Sequence, residues 1–209
     1  MPKGTSVAAF VRRLEERIAR EVAGQDRVAL AYSAGLSSMA IAMIARKRCD
    51  LECFVAGREG APDVEAAKLA KTYFDLRVEH VLLDRAGTQA IRERLSHLRS
   101  RLPPRNLDSL IPLLAVLDRT RGRPVLSGFG GSRMAAGIAG VLRVWEVRAP
   151  LFESARGRAL PRSLLREAAV SLGLPLDWAR VPHRSPVAGA QLGELLVSTS
   201  RRVRWGIRS

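Results

Sequence analysis

The chain is predicted to be an α/β protein with a doubly wound, mostly parallel sheet, an N-terminal helix and a helical C-terminal part. Three observations predict this. Short, mostly apolar runs that suit buried strands alternate with amphipathic stretches of helical length, the pattern of crossover units in a sheet covered on both faces. The turns after two of those runs are made of small residues, as the carboxyl ends of such strands require where a ligand approaches. With 209 residues, 47% of them hydrophobic and 26% charged, the chain has the composition of a globular protein that buries a sizeable core.

Val7, Phe10, Val11, Leu14, Ile18 and Val22 recur at three to four residues behind Thr5 and Ser6, which predicts a helix over 6–23 ended by Gly24. Arg27 to Tyr32 reads as a buried strand, Ser33-Ala34-Gly35 as a small-residue turn, and 36–48 as a helix. A strand over 51–56, a helix over 62–74 and a strand over 78–83 follow. Residues 88–101 and 108–120 read as helices, and 124–127 as a fourth strand entering Gly128-Phe129-Gly130-Gly131. Helices over 162–172 and 189–198 complete the pattern, with Pro103-Pro104 as a stiff joint and 150–160 as a loop. The organisation expected is an N-terminal helix (1–24), an α/β domain (25–150), its helical extension (151–198) and a basic tail (199–209).

No apolar run reaches the length of a membrane span, and the N-terminus lacks a secretory apolar stretch, so a soluble, cytoplasmic protein without membrane contact is expected. Cys49 and Cys53 have three residues between them, a spacing of neither a zinc knuckle nor a redox pair, and are expected as buried free thiols. His80, in an apolar strand, and His97, in a charged helix, are expected to be structural, and Tyr32 and Trp145 to pack.

Charge is the strongest compositional signal: 35 basic against 20 acidic residues give +15, which calls for an acidic partner. Residues 91–209 carry +13 of it, and only Lys3, Lys47, Lys68 and Lys71 among the basic residues are lysine. A GC-rich genome accounts for much of the arginine preference but not for the net imbalance. In the tail, Arg201, Arg202, Arg204 and Arg208 surround Trp205 without an acid. Four guanidinium groups and one aromatic ring suit a phosphate backbone with a stacked base, and a solvated terminus is the alternative.

Two turns are candidates for chemistry. Tyr32-Ser33-Ala34-Gly35-Leu36-Ser37-Ser38 leads into a helix, whose free N–H groups and dipole favour an anion; the hydroxyls of Ser33, Ser37 and Ser38 can donate to phosphate. Ser127 to Ser132 contains three glycines that let a ligand approach the backbone. Neither turn is a Walker A loop or a dinucleotide-binding glycine fingerprint.

The order of these turns, with Val55 to Asp63, VLSGFGGS, WEVRAPLF and Leu160 to Ala169, resembles the synthetase domain of asparagine synthetases. That domain belongs to the PP-loop ATP pyrophosphatases, within the adenine nucleotide alpha hydrolase-like (HUP type) fold, and the resemblance spans roughly residues 25–190. It implies ATP or AMP as ligand and an acyl-adenylate route to an amide. In the family's first turn, S-G-G-x-D-S, the residues grip pyrophosphate. Ser33, Gly35 and Ser38 match it, whereas Ala34 replaces a glycine and Ser37 replaces the aspartate. In the second, G-x-G-x-D-E, Gly128 and Gly130 match, whereas Ser132 and Arg133 occupy the acidic positions and Phe129 stands where glutamate is common. A hydroxyl does not replace a carboxylate as a magnesium ligand, which puts magnesium in doubt, and Arg133 is suited to phosphate instead. The family's phosphate-facing basic residue falls around His183 or Arg184. Asp63 and Glu146 match family positions, with helix capping and pairing to Arg148 as structural alternatives to substrate contact. No glutaminase cysteine precedes the first turn, so ammonia is expected, if used, from a partner subunit.

Three functions are consistent with these residues. The leading one is a non-catalytic binding module that holds RNA or a ribonucleoprotein such as the ribosome, with no certain cofactor. The others are an adenylating, amide-forming synthetase and a subunit that binds adenine nucleotide without turnover.

Overall fold

The computed structural model describes residues 6–97, 107–128, 161–182 and 184–196. Helix α1 (Val7–Val22) starts where the Ser6 hydroxyl accepts from the Ala9 N–H at 3.2 Å and buries Phe10, Leu14, Ile18 and Val22 along one stripe, the period-3.6 pattern of a helix lying on a core. The α/β part follows as β1 (Arg27–Ala31), α2 (Leu36–Ala45), β2 (Asp50–Gly57), α3 (Pro62–Phe74), β3 (Val78–Leu82), α4 (Arg85–Ser96), α5 (Ile111–Arg119) and β4 (Val125–Ser127). Helix α6 (Arg162–Ser171) and three single-turn helices, α7 (Leu176–Ala179), α8 (Pro186–Gly189) and α9 (Gly193–Leu196), close the described chain.

The four strands form one parallel sheet in the order β3-β2-β1-β4, with Arg27 opposite Asp50, Ala29 opposite Val125 and Cys53 opposite Val78. Chain order runs outward from β1 to β3 and then crosses back to β4 on the other side of β1. The reversal therefore falls between β1 and β4, where ligands of open α/β sheets bind. Alternate strand residues feed two cores. Val28, Leu30, Leu51, Cys53 and Val55 pack with α1, α2, α3 and α6, and Ala29, Phe54, Ala56 and Val125 pack with α4 and α5. The sheet is thus covered on both faces, as its nearly continuous apolar strands require.

Local chemistry sets the ends of the elements. α3 spans the expected residues because Pro62 occupies its first turn and Asp75, in the left-handed region at φ 50°, closes it. α4 begins three residues earlier than expected because the Asp84 carboxylate accepts from the Gly87 N–H at 2.7 Å. The helix expected over 189–198 is corrected. Pro186 starts a single turn, Gln191 takes a left-handed φ of 56°, and a second single turn begins at Gly193. The glycines at 189 and 193 and the reversed backbone at 191 break the run that Leu192, Leu195 and Leu196 suggest. The Pro103-Pro104 joint, the 150–160 loop and residues 134–141 lie outside the described residues.

Cys49 and Cys53 are free thiols, Cys53 buried and Cys49 half-buried. Burial, aided by the nearby Glu52 charge, pushes the Cys53 thiol up to about 12, which leaves it unreactive. Tyr32 is buried, its hydroxyl against the Met39 sulfur at 2.5 Å, and burial raises its pKa. Among the described residues, no helix is long and apolar enough to cross a membrane.

Candidate functional site

The first turn lies at the carboxyl end of β1, beside the reversal point. The Ser33 N–H donates to the Ser38 hydroxyl oxygen at 3.3 Å, and that hydroxyl donates to the Gly35 carbonyl at 3.0 Å. The Gly35 N–H reaches the Ser33 hydroxyl oxygen at 3.4 Å. Ser38, buried, therefore orders the turn and spends its proton on it. Ser33 is exposed and Ser37 half-buried. Gly35 caps α2 without a side-chain hydrogen bond, and the first turn of α2 holds no acid. Its leading N–H groups and dipole thus present a positive end with no internal anion.

Ala34 sits at φ 51°, a left-handed conformation that an L side chain adopts at a cost. The glycine of the family's pattern at this position has a backbone reason. Gly128, the first residue after β4, abuts the same turn. A Cβ there would stand 3.2 Å from the Ser37 Cβ and 3.4 Å from the Ser38 N. The first of the two turns expected from sequence to carry chemistry thus meets the start of the second at Gly128, through Ser37 and Ser38, and residues 129–132 lie outside the described residues.

A hydroxyl and backbone N–H set of this kind fits a phosphate group. It does not supply oxygen anions for a divalent cation, and among the described residues no group of three His, Cys, Asp or Glu side chains is placed to hold a metal.

At the neighbouring strand end, Asp63 lies in the first turn of α3 with its carboxylate against α8. A Cβ on Gly189 would fall 2.1 Å from its Oδ2. Burial pushes the Asp63 carboxyl up to about 6, and the charge of Arg184, which is exposed, partly offsets this. The surrounding segment is tied down by the Arg58 N–H, which donates to the Ala190 carbonyl at 3.2 Å, and by the Arg58–Glu194 ion pair at 2.8 Å. The contact between residues so distant in sequence left no signal in the residue pattern. His80 also serves this turn: its Nε2 stands 2.9 Å from the Gly57 carbonyl and its Nδ1 3.4 Å from Glu59.

Several arginines of the second half serve the fold. Arg92 pairs with Asp108 at 3.0 Å, Arg94 with Asp118 at 2.6 Å, Arg119 with Glu79 and Arg123 with Glu52. Arg162 and Arg166 donate to the carbonyls of Val181 and Ala179. Gly130, Arg133, His183, Arg201, Arg202, Arg204, Trp205 and Arg208 lie outside the described residues.

A parallel sheet covered on both faces, with a hydroxyl-lined helix N-terminus at its reversal point, defines a nucleotide-binding class of α/β protein. The sequence profile of one family, asparagine synthase, matches residues 9–197. The chain belongs to that family. No curated protein matches it.

Proposed function

We propose that the chain is a non-catalytic member of the asparagine synthase family that binds RNA, alone or in a ribonucleoprotein, through its arginine-rich second half. The observation that carries the loss of chemistry is Ser37. It stands in the first turn of α2, half-buried and packed on Gly128, at the position where the family's pattern has an aspartate. Adenylation requires a metal to neutralise the phosphates in the transition state, and the loss of the ligands removes several kcal/mol of that stabilisation. The charge balance supports the RNA half of the proposal. Structural ion pairs use four arginines of the second half together with acids of the described chain, and +13 still resides in residues 91–209.

The retained geometry of Ser33, Gly35 and the α2 N-terminus favours a second reading, an adenine nucleotide held without turnover. The synthetase reading requires pyrophosphate release from ATP with magnesium and an acid substrate present. The test is RNA affinity against salt, measured beside pyrophosphate release. The proposal expects no pyrophosphate and an affinity that falls by orders of magnitude between about 50 and 200 mM salt. Release of pyrophosphate would overturn its first half, and absence of RNA binding its second.

A further inference from the structure

Three of the five large exposed apolar residues, Leu69, Tyr73 and Leu176, lie at a corner remote from the Ser33–Ser38 turn. Helices α2 and α3 run antiparallel to the strands, so their C-terminal ends lie beside the amino ends of β2 and β3. There Tyr73 is 63% exposed, with Leu69 (67%) on the preceding turn of α3 and Leu176 (47%) on α7. Tyr73 is held from two sides. Its ring packs edge-on against Phe74 at 4.8 Å and tilts over Trp178 at 5.8 Å, while Phe74 and Trp178 meet edge-to-face at 5.0 Å. Phe74 is buried and Trp178 half-buried, so the trio fixes an outward ring at little conformational cost.

Cations lie in the segments that meet at this corner. The Arg46 guanidinium donates to the Phe74 carbonyl at 2.5 Å, which sets the run Arg46-Lys47-Arg48 against the end of α3. Lys47, Arg48 and Arg180 are exposed and enter no ion pair among the described residues, whereas Lys71, two residues before Tyr73 on α3, lines a groove with Glu52, Asp75 and Glu79 instead. The acids in the same segments are Asp75 and Asp177. The neighbouring Lys68 and Arg77 are engaged by Glu59, Glu65 and Asp50.

Resting on the RNA reading above and extending it beyond the second half of the chain, we propose that Tyr73 and Trp178, with Arg46, Lys47, Arg48 and Arg180 in the adjoining segments, form a stacking platform for single-stranded RNA. A fixed aromatic face amid cations, without a built hydrogen-bonding pocket, suits bases through their π-faces and the backbone through its charge, with little sequence preference. The apolar rim of Leu69 and Leu176 extends the contact along the splayed strand.

The experiment uses the full chain and a fluorescently labelled oligouridylate of roughly a dozen nucleotides, read by anisotropy. Tyr73→Ala is expected to weaken binding about 5- to 150-fold, the value of one stacked base, while Tyr73→Phe keeps it. The thermal melt is expected to be unchanged in Tyr73→Phe and only slightly lowered in Tyr73→Ala, which loses the contacts with Phe74 and Trp178, so binding is read well below both melts. Lys47→Ala with Arg48→Ala is expected to lower the salt slope by about 1.4, the share of two phosphates on a single strand. Binding by the natural chain with Tyr73→Ala unaffected would overturn the platform and leave the RNA reading standing. No binding by the natural chain would overturn both. A dimer seen by light scattering and lost in Tyr73→Ala, with RNA affinity unchanged, would make the corner a self-association face instead.

Discussion

Replacing Asp63 by Asn is expected to stabilise the protein at neutral pH. The carboxyl lies against the backbone of α8 at Gly189 and is pushed by burial from 3.8 to about 6. In the unfolded chain it loses its proton near 3.8; in the folded chain it keeps it until about 6. Between those values the native state binds the extra proton, so stability falls as pH rises through the window and is flat above it. A shift of about two units at 1.36 kcal/mol each sets a ceiling of about 3 kcal/mol. Asn fills the same space and stays neutral, but it forgoes the favourable anion at the start of α3, worth about 0.3–1 kcal/mol. The net expectation is about 2 kcal/mol in favour of Asp63→Asn at pH 7.5, shrinking to nothing near pH 4, where the folded carboxyl is neutral. Urea unfolding of both proteins at pH 4, 5, 6 and 7.5 measures the difference, in which every other titrating group cancels. A difference that is constant with pH, or an Asn variant that is the less stable at pH 7.5, would refute the reasoning.

Gly189→Ala is expected to cost about 1–3 kcal/mol, because the new Cβ enters the space of the Asp63 carboxylate; denaturant titration should show most of that cost gone when Asp63→Ala is combined with it. Ala34 is strained at φ 51° yet has its methyl group buried. Ala34→Gly is therefore expected within about 1 kcal/mol of the natural protein and Ala34→Val well below it, and equal melts for the two variants would contradict the conformation. Deleting residues 199–209 removes four arginines and Trp205. RNA titration at several salt concentrations is expected to show a slope lower by about 3, and an unchanged slope removes the tail from the interface.

Much of the sheet was legible because β1, β2 and β4 are largely buried. Runs such as Val28 to Leu30 and Cys53 to Ala56 stand out as apolar, and of the helices that follow them α3 carries one buried stripe while α2 is buried nearly all round. α3 could be read to the residue because proline and a capping acid mark its ends. Residues 186–196 could not. The apolar spacing of Leu192, Leu195 and Leu196 imitates a helix, whereas the left-handed Gln191 breaks it, directly after Gly189 and Ala190, which meet Asp63 and Arg58. The Ser33–Ser38 cradle was visible as small residues between a strand and a helix. The closeness of Asp63 to Gly189 and the meeting of Tyr73 with Trp178 join residues across the fold. Side-chain pattern along one chain carries no record of such pairings.

The most direct test of the central claim is calorimetric titration of ATP into nucleic-acid-free protein, with and without magnesium. The account predicts that any binding at the α2 N-terminus is indifferent to magnesium, and that Ser37→Asp with Ser132→Asp creates a magnesium dependence the natural chain lacks. Micromolar binding by the natural chain that appears only with magnesium would contradict it, since a metal site would then exist despite Ser37.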